Sequence, residues 1–84
     1  MNIAASVIKD KSFDPVFQMK ISYEDENVKF KDVIVDVQRR PPRVRVDYPD
    51  EIRLLLPKID VKKLELEIMN KIVEFLLSSS RHYM

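Results

Sequence analysis

Four arginines lie close together near the middle of the chain, in the segment "QRRPPRVRVDY" that begins at residue 38. They form the arginine cluster: Arg39, Arg40, Arg43 and Arg45. A guanidinium group is planar and always charged, and it donates two parallel hydrogen bonds to a phosphate or a carboxylate. The clustering predicts a surface that binds a polyanion such as nucleic acid.

The arginine cluster has a second interpretation that the residues alone leave open. Arg43 and Arg45 project from one face of a predicted strand, where they can pair with Asp32 or Asp36 across the sheet and keep that face hydrated. Tyr48 has the opposite strand parity, so it is not interleaved with the arginines in the way that base stacking requires.

Lys62 and Lys63 stand in the first turn of a predicted helix. The helix dipole disfavours cations there by a few tenths of a kcal/mol. Their position therefore favours a use as further phosphate contacts. The alternative is a hydrated helix end at which Lys63 pairs with Glu67, four residues on.

The sequence has little with which to build an enzyme. It has no cysteine and no glycine, which excludes thiolate metal sites, cysteine nucleophiles and phosphate-cradling glycine loops. The one histidine, His82, is close to the C-terminus, and the acidic run 24–26 is typical of a turn. We predict a protein that is not an enzyme and has no cofactor, metal or small-molecule substrate.

Charge is unevenly distributed along the chain. The net charge is only +1, but residues 1–36 are acidic on balance and residues 37–84 are basic. Any basic surface is therefore local and comes from the second half. The opening "MNIAASVIKDK" has no basic leader and is too short for a membrane span, so we expect a cytoplasmic protein without membrane association.

The elements that must position these residues follow from apolar periodicity. We predict a single domain, 1–84, with four strands, one short segment, one long helix and a polar tail. Their ranges are about 3–9, 16–24, 28–37 and 43–48 for the strands, 51–57 for the segment, 61–79 for the helix and 80–84 for the tail. The second strand is the clearest, because Phe17, Met19, Ile21 and Tyr23 alternate with polar residues.

The third strand changes the face of its apolar residues partway along. Its early apolar residues have even numbers and its later valines have odd numbers: Val28 and Phe30, then Val33, Val35 and Val37. A strand that keeps one core face needs an inserted residue to do this, so we predict a β-bulge near Lys31 and Asp32. The alternative is a strand buried on both faces, since Ile34 fits the first parity.

The connection after this strand contains Pro41 and Pro42. Proline has no N–H, and a Pro-Pro pair prefers extended geometry. We therefore expect "QRRPP" to form an extended loop and not a two-residue turn.

The long helix begins after Asp60, a good N-cap residue, and has a wide apolar surface. One sheet face needs an apolar stripe only about 100° wide, whereas the apolar residues of this helix cover more than half of its circumference. We expect the apolar helix surface that the sheet does not cover to contact a second copy of the chain, in a homodimer.

The order of elements predicts an α+β fold, in which an antiparallel four-stranded meander has one long C-terminal helix packed on it. Over roughly residues 3–77 this arrangement resembles the stage V sporulation protein G family, the bacterial septation regulators. The resemblance is carried by "VFQMKISYED", by "VKFKDVIVDV" with its internal Asp32, by Pro49 after strand four, by "PKI" at 57–59 and by "IMNKIVEFL" at 68–76. Asp50 and Glu51 depart from the family, which places basic residues after that proline.

This resemblance implies a dimer that binds DNA and RNA as a regulator of septation or sporulation. With the residues, it predicts a nucleic-acid-binding regulatory protein. The predicted contacts are Arg39, Arg40, Arg43, Arg45, Lys62 and Lys63. The alternative is a non-catalytic protein-interaction or assembly module with the same fold.

Overall fold

Four antiparallel strands and one long helix make up the fold, as the sequence predicts. The computed structural model describes the backbone of residues 1–81 and the side chains of residues 1–78. The strands are β1 (Asn2–Val7), β2 (Val16–Glu24), β3 (Lys29–Arg40) and β4 (Arg43–Asp47). They form one sheet in the order β1-β2-β3-β4, and the helices α1 (Asp50–Arg53) and α2 (Val61–Arg81) follow. The α+β meander with a C-terminal helix is therefore confirmed.

The predicted bulge in β3 is present. The cross-strand pairs on either side of it are Ile21 with Val33 and Tyr23 with Phe30. Over this stretch β3 uses one residue more than β2. Asp32 has a left-handed φ of 54°, a conformation that aspartate tolerates better than most residues. Its N–H donates to the Ser22 hydroxyl at 3.0 Å.

The bulge keeps the apolar residues of β3 on a single face. Val35 and Val37, after the bulge, are buried in the core, and Phe30, before the bulge, is partly buried against the same core. Ile34 points to the opposite face and is 43% exposed. The alternative of a strand buried on both faces is therefore wrong.

The β3–β4 connection differs from the prediction. Arg40 and Arg43 are paired across the two strands, so Pro41 and Pro42 alone form the turn, and the peptide between them is cis. The prediction of an extended loop is wrong, and β3 extends three residues beyond its predicted end at 37. The central residues of a hairpin turn make no ladder hydrogen bonds, so the missing proline N–H groups are not needed there.

α2 packs on one face of the sheet through residues spaced four apart, Leu64, Ile68 and Ile72, all fully buried. Phe75 extends this contact by meeting Phe17 edge to face at 6.1 Å between ring centroids. The core that results combines residues of all four strands or their ends with both helices: Ala5, Phe17, Met19, Ile21, Val35, Val37, Tyr48, Ile52, Leu64, Ile68 and Ile72.

Some element boundaries also differ from the prediction. The first strand ends at Val7, because residues Lys9–Lys11 form a 3₁₀ turn. The segment expected at 51–57 consists of α1 and a second 3₁₀ turn, Leu56–Lys58. α2 continues through Arg81, so the first two residues of the predicted tail are helical. Residues 82–84, including His82, lie outside the described part. Across residues 1–81, no helix is long and apolar enough to cross a membrane.

Candidate nucleic-acid interface

Three of the four clustered arginines lie on the face of the sheet that α2 does not cover, here called the outer face. Arg43 and Arg45 project from β4 with the parity opposite to that of the half-buried valines between and after them. Arg40 is the direct partner of Arg43 in the ladder, so the two side chains share a face. All three arginines are exposed. We call them the outer arginines.

The outer arginines have no acidic partner among residues 1–81. Arg40 donates from Nε to the Gln38 amide oxygen at 2.9 Å, and the side chains of Arg43 and Arg45 make no hydrogen bond or ion pair with the described residues. The cross-strand ion pairs with Asp32 or Asp36 are not formed. Asp36 stands opposite another aspartate, Asp47, and Asp32 lies in the bulge near the far end of β3.

Arg39 is separated from the other three. It has the opposite parity, is half-buried, and forms a two-pronged ion pair with Asp14: Nε to Oδ1 at 2.8 Å and Nη2 to Oδ2 at 3.0 Å. Its N–H also donates to the Pro15 carbonyl oxygen at 2.7 Å. The hydrogen bond from Arg39 lowers the pKa of Asp14 below its ordinary value. Arg39 therefore joins two turns, and its guanidinium is already engaged.

The acids nearest to the outer arginines are partly neutralised. Asp47 accepts from Nη2 of Arg53 at 3.1 Å, and Nη1 of the same arginine is 3.9 Å from Asp50. Of the outer-face acids beside the outer arginines, this leaves Asp36 without a cation within ion-pair distance in the described chain. Three unpaired cations thus face one unpaired anion, and the local charge is positive.

The helix entry brings one of the two predicted lysines close to the outer arginines. A shallow groove of about 370 Å³ runs along the edge of β4, between that strand and α2. It is lined by Pro42, Arg43, Val44, Lys62, Glu65, Leu66 and Met69. Arg43 and Lys62 therefore lie on opposite walls of one groove, although 19 positions separate them in the sequence.

Lys63 lies outside this groove. The predicted N-cap of α2 is confirmed, because Asp60 Oδ1 accepts from the Lys63 N–H at 3.1 Å. The alternative pairing of Lys63 with Glu67 is not formed among the described residues. Glu67 is instead 3.9 Å from the ammonium group of Lys71.

Tyr48 helps to position α2, which forms one wall of the groove. Its hydroxyl donates to Oε2 of Glu65 at 2.9 Å and so joins the end of β4 to the helix. Burial, reinforced by the neighbouring carboxylate, raises the pKa of Tyr48 well above its ordinary value. The phenol therefore stays protonated and remains a donor to Glu65.

One exposed aromatic residue was missed at the sequence level. Phe13 is 85% exposed and forms a bridge with Val16, with backbone N–H···O distances of 2.7 and 2.6 Å in the two directions. Asp14 and Pro15 form the turn between them. An Asp-Pro pair between two apolar residues is a turn signal, so this tight turn was detectable from the sequence.

The described residues offer no group of three or more His, Cys, Asp or Glu side chains arranged to hold a metal ion. Comparison of the chain with protein-family models, with curated proteins and with solved structures found no match. The resemblance to the stage V sporulation protein G family therefore stays an expectation drawn from the order of elements.

Proposed function

We propose that this chain is a nucleic-acid-binding regulatory protein that acts as a homodimer. Its phosphate contacts are the outer arginines, Arg40, Arg43 and Arg45, together with Lys62 across the adjoining groove. Arg39 supports them by fixing the hairpin to the Asp14 turn, and Lys63 adds long-range charge. Such a partner implies a cytoplasmic protein.

One observation carries the proposal: the outer arginines are exposed, share one end of one sheet face and have no acidic partner in the described chain. Arg40 and Arg43 stand directly opposite each other, and like charges in that position destabilise a sheet. A bound phosphate relieves this repulsion, because each guanidinium can donate two hydrogen bonds to it.

The regulatory part of the proposal rests on the resemblance, and the binding part rests on the outer face. The candidate contacts are mainly arginines, and arginines that contact phosphate fix position without reading sequence, so we expect recognition of the nucleic-acid backbone. Affinity should then depend strongly on salt, because each neutralised phosphate releases counterions.

The test is the double variant Arg43→Ala/Arg45→Ala, with binding to a labelled oligonucleotide measured from about 50 to about 200 mM salt. For the wild type, log affinity should fall against log salt with a slope of about −0.7 to −0.9 per phosphate neutralised. The variant should bind all sequences more weakly, and its slope should be shallower by about 1 for each arginine–phosphate pair that the substitutions remove.

The matched control is Lys29→Ala/Lys31→Ala, which removes the same charge at the opposite end of β3. Lys29 makes only an exposed ion pair with Glu24, and such pairs contribute little to stability. The control should keep the wild-type slope. If the arginine variant instead keeps its affinity and slope but melts at a lower temperature, the arginines are structural and the assembly-module alternative replaces this proposal.

A further inference from the structure

The side chain of Phe13 is not packed into the core of the described chain, so its aromatic ring contributes little to the fold. It is the most exposed of the large apolar side chains in the described chain, at 85%. Yet its backbone is firmly held by the two bonds to Val16, and the turn between them is fixed by the Arg39–Asp14 ion pair and the bond from Arg39 N–H to Pro15. The phenyl ring is therefore exposed to solvent on a backbone segment that hydrogen bonds hold in place.

Phe13 lies in one cross-strand row with Arg45, one of the outer arginines. Direct partners in an antiparallel ladder carry their side chains on the same face. Phe13 is bridged to Val16, Val16 is paired with Gln38, and Gln38 is paired with Arg45. The row crosses the outer face from an aromatic ring to a guanidinium. At about 4.8 Å for each step, its ends are roughly 14 Å apart at the backbone.

The middle of the row borders a shallow groove along which a single strand of nucleic acid can lie. It measures about 340 Å³ and is lined by Val16, Asp36, Val37, Gln38, Arg45 and Asp47. Asp47 is paired with Arg53, so Asp36 is the one lining acid without a cation in the described chain. Val16 is half exposed and supplies an apolar floor, and the Gln38 amide can donate to a base or a sugar.

An exposed aromatic side chain on the same sheet face as unpaired arginines suits unpaired bases and not a duplex. In single-stranded recognition, bases stack on aromatic side chains while cations hold the backbone. In a duplex the base faces are already stacked, and phosphate contact alone gives Phe13 no role.

We propose that the outer face binds single-stranded nucleic acid and that Phe13 is the residue on which an unpaired base stacks. The inference rests on the proposed function and assigns its substrate class. The outer arginines hold the phosphates of the nucleotides that follow on the β4 side of that base, and Val16 contacts the sugar or the base edge.

A spectroscopic test uses the absence of tryptophan from the chain. The variant Phe13→Trp introduces a single indole at the proposed stacking position. Its fluorescence should be quenched by a short single-stranded DNA, or by the RNA of the same sequence, and much less by the duplex or by inorganic polyphosphate. Testing the DNA and the RNA separately identifies the preferred sugar, and quenching by either supports the inference.

An affinity test compares three substitutions at one site. Phe13→Ala should weaken binding of the single strand by roughly 5- to 150-fold, the range expected for one stacked base. Phe13→Tyr should keep most of the affinity, and Phe13→Leu should not, because it is apolar but cannot stack. The salt slope should stay unchanged in all three, since every cation that meets a phosphate is still present. Melting temperatures should match the wild type, as Phe13 is exposed.

The two proposals fail in different ways. If single strand and duplex bind equally, with an arginine-dependent salt slope and no effect of Phe13→Ala, the stacking inference is overturned and the proposed function stands. If no form of nucleic acid binds the wild type, both are overturned. If Phe13→Leu binds as tightly as the wild type, the ring makes an apolar contact only, which also overturns stacking.

Discussion

The hydroxyl of Tyr23 connects the β2–β3 turn with the start of α2. It donates to Asp25 Oδ2 at 2.6 Å and accepts from the N–H of Asp60 at 3.0 Å. Asp25 Oδ1 in turn accepts from the N–H groups of Asn27 and Val28 at 2.7 and 2.8 Å. These bonds, led by the one from Tyr23, lower the pKa of Asp25 below its ordinary value.

This arrangement predicts a loss of stability in acid. A carboxyl group whose pKa is lower in the folded state stabilises the fold fully above its unfolded pKa of about 3.9, and the contribution disappears as pH falls through the folded value. Asp14, beside Arg39, acts in the same direction. The urea midpoint should therefore fall as the pH drops below about 4.

Tyr23→Phe should make the fall of the urea midpoint in acid smaller, because Asp25 loses the largest cause of its lowered pKa. The midpoint at neutral pH should also fall, since the Asp60 N–H loses its acceptor. The measurement is urea unfolding of both proteins at a series of pH values from about 6 to about 3. Identical pH dependence in the two proteins would contradict the role assigned to the tyrosine.

At the scale of elements, the bulge decides which residues of β3 reach the core. Val35 is 2% exposed, whereas its neighbour Ile34 is 43% exposed on the outer face. We predict that Val35→Asp unfolds the domain, because it buries a charge without a partner at a cost of several kcal/mol. Ile34→Asp, the matched control, should change the free energy of unfolding by less than about 1 kcal/mol.

Urea unfolding followed by circular dichroism measures both variants. Lys31→Ala, in the bulge, should be close to the wild type. A similar loss of stability in Val35→Asp and Ile34→Asp would mean that the faces of β3 are assigned wrongly.

The strands and the bulge were predictable because burial on one sheet face imposes a period of two on the sequence. The change of parity between Phe30 and Val33 leaves an inserted residue as the simplest solution. The apolar pattern does not determine the conformation of the Pro41–Pro42 connection. A missing N–H and a fixed φ suit an extended loop and a tight turn equally well, and the pairing of β3 with β4 selects the turn.

The candidate site was predictable only where its residues are close in sequence. The outer arginines are separated by at most five positions and share a strand or its partner. The Arg39–Asp14 ion pair joins residues 25 positions apart, and the position of Phe13 depends on a bridge that extends the β2 edge. Neither has a local periodicity, so only the assembled sheet reveals them.

At the scale of the whole molecule, α2 has more apolar surface than the sheet covers. Leu64, Ile68 and Ile72 are buried, but three other apolar residues remain about half exposed: Leu66 at 53%, Val73 at 47% and Leu77 at 58%. Their spacing of seven and four places them on one stripe of the helix, with Asn70 among them. The stripe carries no charge.

An uncharged apolar stripe suits a second copy of the same chain. A two-fold interface brings the same patch of each subunit together, so a patch without charge is complementary to itself. A chain of this size buries only about 60–65% of its extended surface on folding, so added burial between subunits increases its stability. A dimer also presents the outer arginines twice, which steepens the salt dependence of binding.

We therefore predict a dimer in solution. Sedimentation at micromolar concentration should give about twice the chain mass of 10.0 kDa. Leu77→Lys should shift the protein toward the monomer, because it places a charge in the apolar stripe that the two subunits would share. Ser78→Lys, one residue on and exposed on the polar flank, should leave the dimer intact. A wild-type monomer at these concentrations would contradict the interface, and an equal effect of both lysines would place it elsewhere on the molecule.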